Sequence, residues 1–362
     1  MTSRAVIFTA PQAPLELRSM ARPCLGAGEL LVRISMCTLC ASDLHSYRGA
    51  RSVEVPTVLG HEIIGVIEEI GEGPQRCDLK GRALAIGDRV TWCIAASCGD
   101  CFFCREGLPQ KCVCVFKYGH AAIAPEHELC GGLAEHCHLT ANTGVLSVPE
   151  ELPDAVACPA NCATATVAAA LRTAGGLAGR VVCVHGAGML GLTACAMARE
   201  SGAEVVVCDT DPSRLALASH FGVSEVVTMT DGTEALRGIL AEMTDGRGAD
   251  VGFEMSGAPS AVSALIETLR IGGLGVLVGS VSPADPVRLA AEDLVKRSLT
   301  LRGVHNYAPE DLAVAIDFLE LFHHRYPFAE LVTPAFSLDE IEAAFGHALS
   351  GKDLRVAIAP TV

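Results

Sequence analysis

Cysteine and histidine are the residues of this chain best able to do chemistry, and their most compact pattern is Cys98-x-x-Cys101-x-x-Cys104, followed after seven more residues by Cys112. Four thiols on a lobe of fifteen residues, with Gly99, Gly107 and Pro109 bending the chain between them, have the spacing of a closed tetrahedral zinc site. Such a site supports a fold and leaves no position for a reactant. Cys114 is left over and takes no role.

A second pattern is dispersed. Gly60-His61-Glu62-Ile63-Ile64-Gly65 sets an imidazole and a carboxylate side by side at the edge of an apolar run, between glycines that let the backbone come close to a bound atom. A histidine in that setting can equally be an ordinary core residue. What gives it weight is Cys40, in Cys40-Ala41-Ser42-Asp43-Leu44-His45, and Cys162, in Asn161-Cys162-Ala163-Thr164-Ala165-Thr166. Two thiolates and one imidazole from separate segments are the usual donors of a catalytic zinc, which keeps its fourth position for water or substrate.

The third pattern is built from glycine. Arg180-Val181-Val182-Cys183-Val184-His185 reads as a buried strand, and Gly186-Ala187-Gly188-Met189-Leu190-Gly191 leads from it into a helix. The next strand, Glu204-Val205-Val206-Val207-Cys208-Asp209, closes on an acidic residue. A glycine-rich turn alone is common in α/β proteins; the strand before, the helix after and the carboxylate at the expected interval make this one a dinucleotide site. Gly186 makes the turn, Gly188 admits a pyrophosphate to the helix N-terminus, and Gly191 lets helix pack on strand. Asp209 would accept from the adenosine ribose 2′-hydroxyl and repel a 2′-phosphate, so the expected cofactor is NAD rather than NADP.

The elements that must position these residues fall into two styles. Up to about residue 160, short strands are separated by turns: Ala5–Phe8, Glu29–Ile34, Ile63–Ile70, Arg89–Trp92 and Gly132–Leu139, with a polar surface loop from Gln75 to Arg82. That part predicts an antiparallel, barrel-like β domain carrying the four-cysteine lobe at about 95–115. Over 161–304 strands alternate with helices, at Arg180–His185, Glu204–Asp209, Glu225–Thr228, Asp250–Glu254, Leu274–Gly279 and Leu299–Gly303. Asp211-Pro212 supplies an N-cap with proline at the first helical position. This is the pattern of a doubly wound parallel sheet, so the fold class is α/β. The segment 305–362, with a helix over Asp311–Phe322 and a strand over Arg355–Ile358, is expected to return to the first domain.

Composition narrows the function classes. The chain has 362 residues, too many for one core of ordinary size, and a formal net charge of −15, which argues against polyanionic partners: no nucleic acid and no anionic membrane surface is expected. Met1-Thr2-Ser3-Arg4 runs straight into Ala5-Val6-Ile7-Phe8 without the apolar core of a signal peptide, and no apolar segment is long enough to span a bilayer, so the expected location is the cytoplasm. The seventeen cysteines are then reduced thiols, ligands or small core residues rather than a disulfide framework. Cys183, Cys195 and Cys208 lie inside apolar patterns and read as packing residues.

Taken together, the Cys40-x-Ser42-Asp43 segment, Gly60-His61-Glu62 with Gly65, the four-cysteine lobe, Cys162 four residues before Thr166, and the glycine fingerprint with Asp209 resemble the zinc-dependent alcohol dehydrogenases of the medium-chain dehydrogenase/reductase superfamily. The resemblance covers essentially the whole chain. It implies a GroES-like β-barrel catalytic domain joined to a Rossmann domain, with two zinc ions and NAD as cofactors. Cys40, His61 and Cys162 would hold the catalytic zinc and Cys98, Cys101, Cys104 and Cys112 the structural one. Asp43 would orient His61, and Glu62 would sit close behind the metal, either approaching it during ligand exchange or only tuning its field. Ser42 and His45 match the family's proton relay, Arg214 a position on the adenosine ribose, and Arg355 one that pairs with the pyrophosphate. Ala41 departs from the pattern, standing where many relatives place a basic or small residue beside the pyrophosphate. Relatives of this kind are homodimers or homotetramers, pairing through the strand that matches Leu299–Gly303.

The implied activity is reversible oxidation of a small-molecule alcohol to a ketone or aldehyde. By position Trp92, Ile94, Ala95 and Tyr118 are expected to line or flank the pocket, with Lys117, His120 and His305 as polar candidates. That lining suits a hydrophobic secondary alcohol, cyclic or terpenoid. The runs Phe116-Lys117-Tyr118-Gly119-His120 and Asn161–Thr166 are similar to a bacterial subgroup associated with phosphonate catabolism, which makes a phosphonate-bearing alcohol the alternative. No arginine cluster that would hold a phosphonate dianion is legible near the pocket. A non-catalytic NAD-binding protein is the reading from another class; such a descendant has no need to keep Cys40, Ser42, His61 and Cys162 together.

Overall fold

The computed structural model describes residues 1–230 and 232–360. The chain divides into two compact units, one formed by Met1–Ala165 with the segment from Ala308 onward, the other by Thr166–Tyr307.

The first unit contains β1 (Thr2–Ile7), β2 (Glu16–Ala21), β3 (Leu30–Leu39), β4 (Glu62–Ile70), β5 (Arg89–Trp92), β6 (Ala95–Ala96), β7 (Phe116–Lys117), β8 (His136–Leu139) and β9 (Val145–Ser147). The second supplies β10 (Val181–His185), β11 (Glu204–Asp209), β12 (Glu225–Thr228), β13 (Ala249–Glu254), β14 (Leu269–Leu277) and β15 (Thr300–Gly303); β16 (Val356–Ile358) belongs again to the first. The main sheet of the first unit is antiparallel in the order β16-β3-β4-β5-β9, with β8 also on β3. Its core packs Ile34, Ile63, Ile67, Val90, Leu133 and Phe345, and the last strand joins it because Ala357 pairs with Thr38, two residues before Cys40. Gly65 is required where β3 and β4 change register near Ile34, since a Cβ there would stand 2.4 Å from the Arg33 carbonyl oxygen.

The second unit is one parallel six-stranded sheet in the order β12-β11-β10-β13-β14-β15. Every residue of β10 is buried, as a central parallel strand covered on both faces requires. The strand order reverses between β10 and β13, so the carboxyl ends of the strands around β10 are where a doubly wound sheet takes its ligand.

Three elements escape the apolar periodicity of the sequence. The strand Glu16–Ala21 is mostly exposed, and the helix Ile341–Leu349 is short. The helix Ala41–Arg48, ended by Gly49 at φ 79°, buries Asp43 and Ser46 rather than an apolar stripe. Among the described residues no single helix is long and apolar enough to cross a membrane.

Candidate metal centres and cofactor site

Cys40 directly follows β3 as the N-cap of the helix Ala41–Arg48, and His61 directly precedes β4. Cys162 follows the tight turn Cys158–Asn161. Their ligand atoms lie within 4.8 Å of one another, and Cys40 and His61 are 8% and 1% exposed. Two sulfurs and a ring nitrogen at that separation fit zinc with an open position.

Neighbouring groups set the ligand chemistry. His61 Nδ1 meets Asp43 Oδ1 at 3.1 Å, so this nitrogen donates to the carboxylate and Nε2 is the one left for a metal. The same carboxylate accepts from the backbone of Cys40 at 2.9 Å and of Gly60 at 3.2 Å, tying the two ligand segments together. Burial pulls His61 down, but Asp43 and Cys40 outweigh it and hold the imidazole at about 10, so metal loading must displace a proton. The thiol hydrogen of Cys162, then Arg355 and His61, keep Cys40 well below the ordinary thiol range. Ser42 Oγ stands 3.3 Å from His61 Nε2, at the ligand face of the ring. His45 lies one turn on along the same helix, and among the described residues no hydrogen bond joins it to Ser42 directly.

Asn161 is a positioning residue that sequence reasoning missed. Its amide donates to the carbonyls of His61 and Trp92, each at 3.0 Å, and accepts from the Ile63 backbone at 3.2 Å. It thereby pins the Cys162 turn to the edges of β4 and β5. No local pattern marks it, since every partner is distant in the chain.

Glu62 and Arg355 depart from expectation together. The guanidinium donates to Glu62 Oε2 at 2.6 Å and Oε1 at 2.8 Å, to the Leu354 carbonyl at 2.8 Å, and reaches Cys40 Sγ at 3.6 Å. Its nitrogens are thus committed around Glu62, where the resemblance implied a pyrophosphate contact. Burial raises the Glu62 carboxyl and Arg355 opposes that rise; Thr38 donates to its Oε2 at 2.6 Å.

Trp92 and Tyr118 do not line a pocket. Both are fully buried, and the Tyr118 hydroxyl is engaged with Thr143 Oγ1 at 2.6 Å and the Thr140 N–H at 2.9 Å. Two of the polar candidates interact with the metal-ligand set. The His120 ring lies 5.0 Å from that of His61, with Nδ1 donating to the Tyr118 carbonyl at 2.9 Å, and burial keeps it neutral. Burial, then repulsion from Arg51, lowers Lys117 to about 8, with the Cys162 and Cys40 sulfurs opposing. Neither Lys117 nor Arg51 has an ion-pair partner among the described residues, and no motif in the sequence singles out Arg51.

The second cysteine set assembles as its spacing predicts: the sulfurs of Cys98, Cys101, Cys104 and Cys112 lie within 4.8 Å of one another. Cys98 and Cys112 are 3.4 Å apart and Cys101 and Cys104 3.5 Å. Backbone N–H groups point into the cluster, those of Cys98 and Cys114 onto Cys112 at 3.3 Å, and those of Val113 and Cys104 lower Cys101 to about 6. Four sulfurs leave no open position, as in a structural zinc site.

In the second unit a cavity of about 650 Å³ opens at the carboxyl ends of β10 and β11, lined among others by Gly186, Asp209, Met229, Thr230 and Ser256. Gly186 turns at φ 104°, and a Cβ on Gly191 would collide with its carbonyl oxygen at 1.7 Å. A Cβ on Gly188 would meet nothing within 4 Å, so the helix N-terminus is open for an anion. Asp209 accepts from the Ala187 N–H at 2.6 Å and the Asp211 N–H at 2.9 Å, holding the glycine loop against β11. The glycines and Asp209 therefore fit a dinucleotide. Arg214 is not in the cavity wall; its Nε sits 3.6 Å from Asp211 Oδ2.

Comparison with known proteins shows the family. Residues 26–150 match the family model of the alcohol dehydrogenase GroES-like domain, and residues 190–320 that of zinc-binding dehydrogenases. The chain is 30% identical to the L-threonine 3-dehydrogenase of Idiomarina loihiensis over 340 residues, covering 92% of this chain and 93% of that one. It is also 30% identical to that of Burkholderia multivorans, covering 96% of each. Among solved structures, an alcohol dehydrogenase from Thermotoga maritima superimposes with a TM-score of 0.94 at 29% identity, over 99% of this chain and 100% of the other. One from Thermus sp. ATN1 gives 0.82 at 27%, over 99% of each. Sequence, fold and donor sets agree, and the chain belongs to the zinc-dependent alcohol dehydrogenases of the medium-chain dehydrogenase/reductase superfamily.

Proposed function

We propose that this dehydrogenase oxidises a secondary alcohol carrying an anionic group, a carboxylate or phosphonate, to the corresponding ketone, with NAD as hydride acceptor. One observation carries the choice of substrate: Lys117 has no ion-pair partner among the described residues, is repelled by Arg51 and is attracted by the Cys162 and Cys40 sulfurs. An anion seated between the two cations would relieve that repulsion and orient the alcohol toward the metal centre. The curated relatives point the same way, since L-threonine, the substrate in their name, is a secondary alcohol with a carboxylate. The burial of Trp92 and Tyr118 in the core leaves Ile94 and Ala95 alone of the four apolar lining residues expected for a hydrophobic alcohol.

Zinc held by Cys40, His61 and Cys162 would supply Lewis acidity toward the substrate oxygen. NAD would supply the hydride acceptor, and Asp209 favours it over NADP by repelling a 2′-phosphate. The remaining work is done by the protein. Asp43 fixes the His61 tautomer. Ser42 Oγ, at the ligand face of His61, is placed to accept the alcohol proton, and His45, one turn further along the helix, is the exit toward solvent. Glu62 and Arg355 set the field behind Cys40. The test is a screen of NAD reduction with L-threonine, hydroxyalkylphosphonates and neutral cyclic alcohols. Turnover confined to the neutral class would reject the anion reading.

A further inference from the structure

Two of the three cysteines that pattern alone assigns to packing come together with a histidine in a way that packing does not explain. Cys183 and His185 are alternate residues of β10 and so share one face of the sheet, and Cys208 on β11 pairs in register with His185. The donor atoms of Cys183, His185 and Cys208 all lie within 4.8 Å of one another, and Cys208 Sγ is 3.2 Å from His185 Nδ1. The three residues are 0%, 1% and 2% exposed, and Val206, Val227, Leu236 and Leu240 complete the surrounding apolar cluster. His185 Nε2 is buried there without a hydrogen-bond partner. An imidazole in a strand of otherwise apolar residues, with one nitrogen unsatisfied and the other on a thiol, costs stability that an aliphatic side chain would not.

We propose that Cys183, His185 and Cys208 form a third metal site, for a thiophilic divalent cation such as Zn²⁺ or Cd²⁺, in the wall of the cofactor cavity. Two thiolates and an imidazole are the donors such ions prefer. Two thiolates also cancel the charge of a divalent ion, so the loaded site is neutral and escapes the penalty of burying a net charge. His185 and Cys208 both line the cavity that holds Gly186 and Asp209, which gives the ion a route in and an open side toward that space. The site lies wholly in the second unit and shares no ligand with the Cys40 centre or the four-cysteine lobe. It joins β10 to β11 directly beneath the glycine turn, where an occupying ion would brace the cofactor loop.

The experiment is metal counting on the full-length protein, equilibrated with excess Zn²⁺ and freed of unbound ion by gel filtration. The wild type should retain three zinc ions per chain and Cys183→Ala/Cys208→Ala two. A parallel titration with Cd²⁺ should show thiolate-to-metal charge-transfer absorbance for one equivalent beyond the first two, missing in the double variant. Because removal of two buried thiols can disturb folding, His185→Leu provides a second arm. It keeps both cysteines and an apolar strand, and should weaken the third equivalent by more than about 100-fold while the first two are unchanged. A wild type that holds only two ions, a double variant that holds as many as the wild type, or His185→Leu binding the third equivalent as tightly as the wild type would each overturn the proposal. So would isolation of Cys183 and Cys208 as a disulfide in protein that has never been exposed to oxidant.

Discussion

Arg355 grips Glu62 with two hydrogen bonds, at 2.6 and 2.8 Å, across 293 positions of sequence, and both side chains are buried against Cys40. The pair brings the C-terminal segment and the strand after His61 onto one ligand of the metal centre. Removing one partner leaves a buried charge uncompensated, which costs about 3–5 kcal/mol. Arg355→Met should therefore lower unfolding stability by about that much, while Glu62→Gln/Arg355→Met should lose less than the sum of its parts. Urea unfolding of the three variants reads this out, and strictly additive losses would show that the two side chains do not act as a pair.

The two resident metal sites should fail differently. Cys101→Ser opens the closed four-sulfur lobe, so it should release one zinc and lower thermal stability, with the remaining folded fraction still active. Cys40→Ser alters the open centre and should cut kcat on the order of 10³-fold or more with the fold intact. Zinc content, thermal unfolding and turnover measured on the same preparations separate the two outcomes. Equal loss of turnover per folded molecule in both variants would contradict the division.

For the proton route, Ser42→Ala should be the more damaging change, because Ser42 Oγ sits 3.3 Å from the metal-facing nitrogen of His61. A loss of roughly 10²–10⁴-fold in kcat is expected, the range of a missing general acid–base group. His45→Gln should slow oxidation, and imidazole-type buffers should partly restore it. An unchanged rate in His45→Gln would pass the acceptor role to water.

Asp209 already accepts from the Ala187 and Asp211 backbones, so its carboxylate is held at the mouth of the glycine turn. Asp209→Ser should narrow the preference for NAD over NADP by roughly tenfold or more through loss of like-charge repulsion. It should also loosen the glycine loop and raise KM for both cofactors. Catalytic efficiency that favours NADP in the wild type would reject the assignment.

Much of this site is legible in the sequence because chemistry dictates spacing. A four-thiolate lobe must bring its donors close along the chain, and a pyrophosphate turn must place glycines at fixed intervals between a strand and a helix. Cys40, His61 and Cys162 stand out only as a set, because two thiols and an imidazole are the usual donors of an open zinc site. The remainder depends on contacts that only folding creates. Asn161 meets His61 across 100 positions, and Arg355 meets Glu62 across 293. The helix Ala41–Arg48 carries a polar buried face, so apolar periodicity misses it. Trp92 and Tyr118 sit close in sequence to pocket residues, yet their side chains turn into the core. The cations Lys117 and Arg51 are separated by 66 positions and lack any motif.

Lys117 also gives the most direct test of the substrate. Burial and Arg51 lower it to about 8 from the ordinary 10.5. Without ligand, the folded protein therefore bears a penalty that is fully present below pH 8, fades as pH rises, and is gone above about 10.5. Lys117→Met should accordingly stabilise the free protein by about 2 kcal/mol at pH 7, allowing for partial exposure.

The decisive measurement is kcat/KM against pH for an anionic secondary alcohol and its uncharged isostere, in the wild type and in Lys117→Met. The wild type should prefer the anionic alcohol, and that preference should fall by up to about tenfold per pH unit above pH 8 as Lys117 loses its proton. Lys117→Met should lose most of the preference and its pH dependence, leaving the neutral isostere nearly unaffected. A wild type that turns over the neutral alcohol as well as the anionic one at pH 7, or a preference untouched by Lys117→Met, would contradict the account.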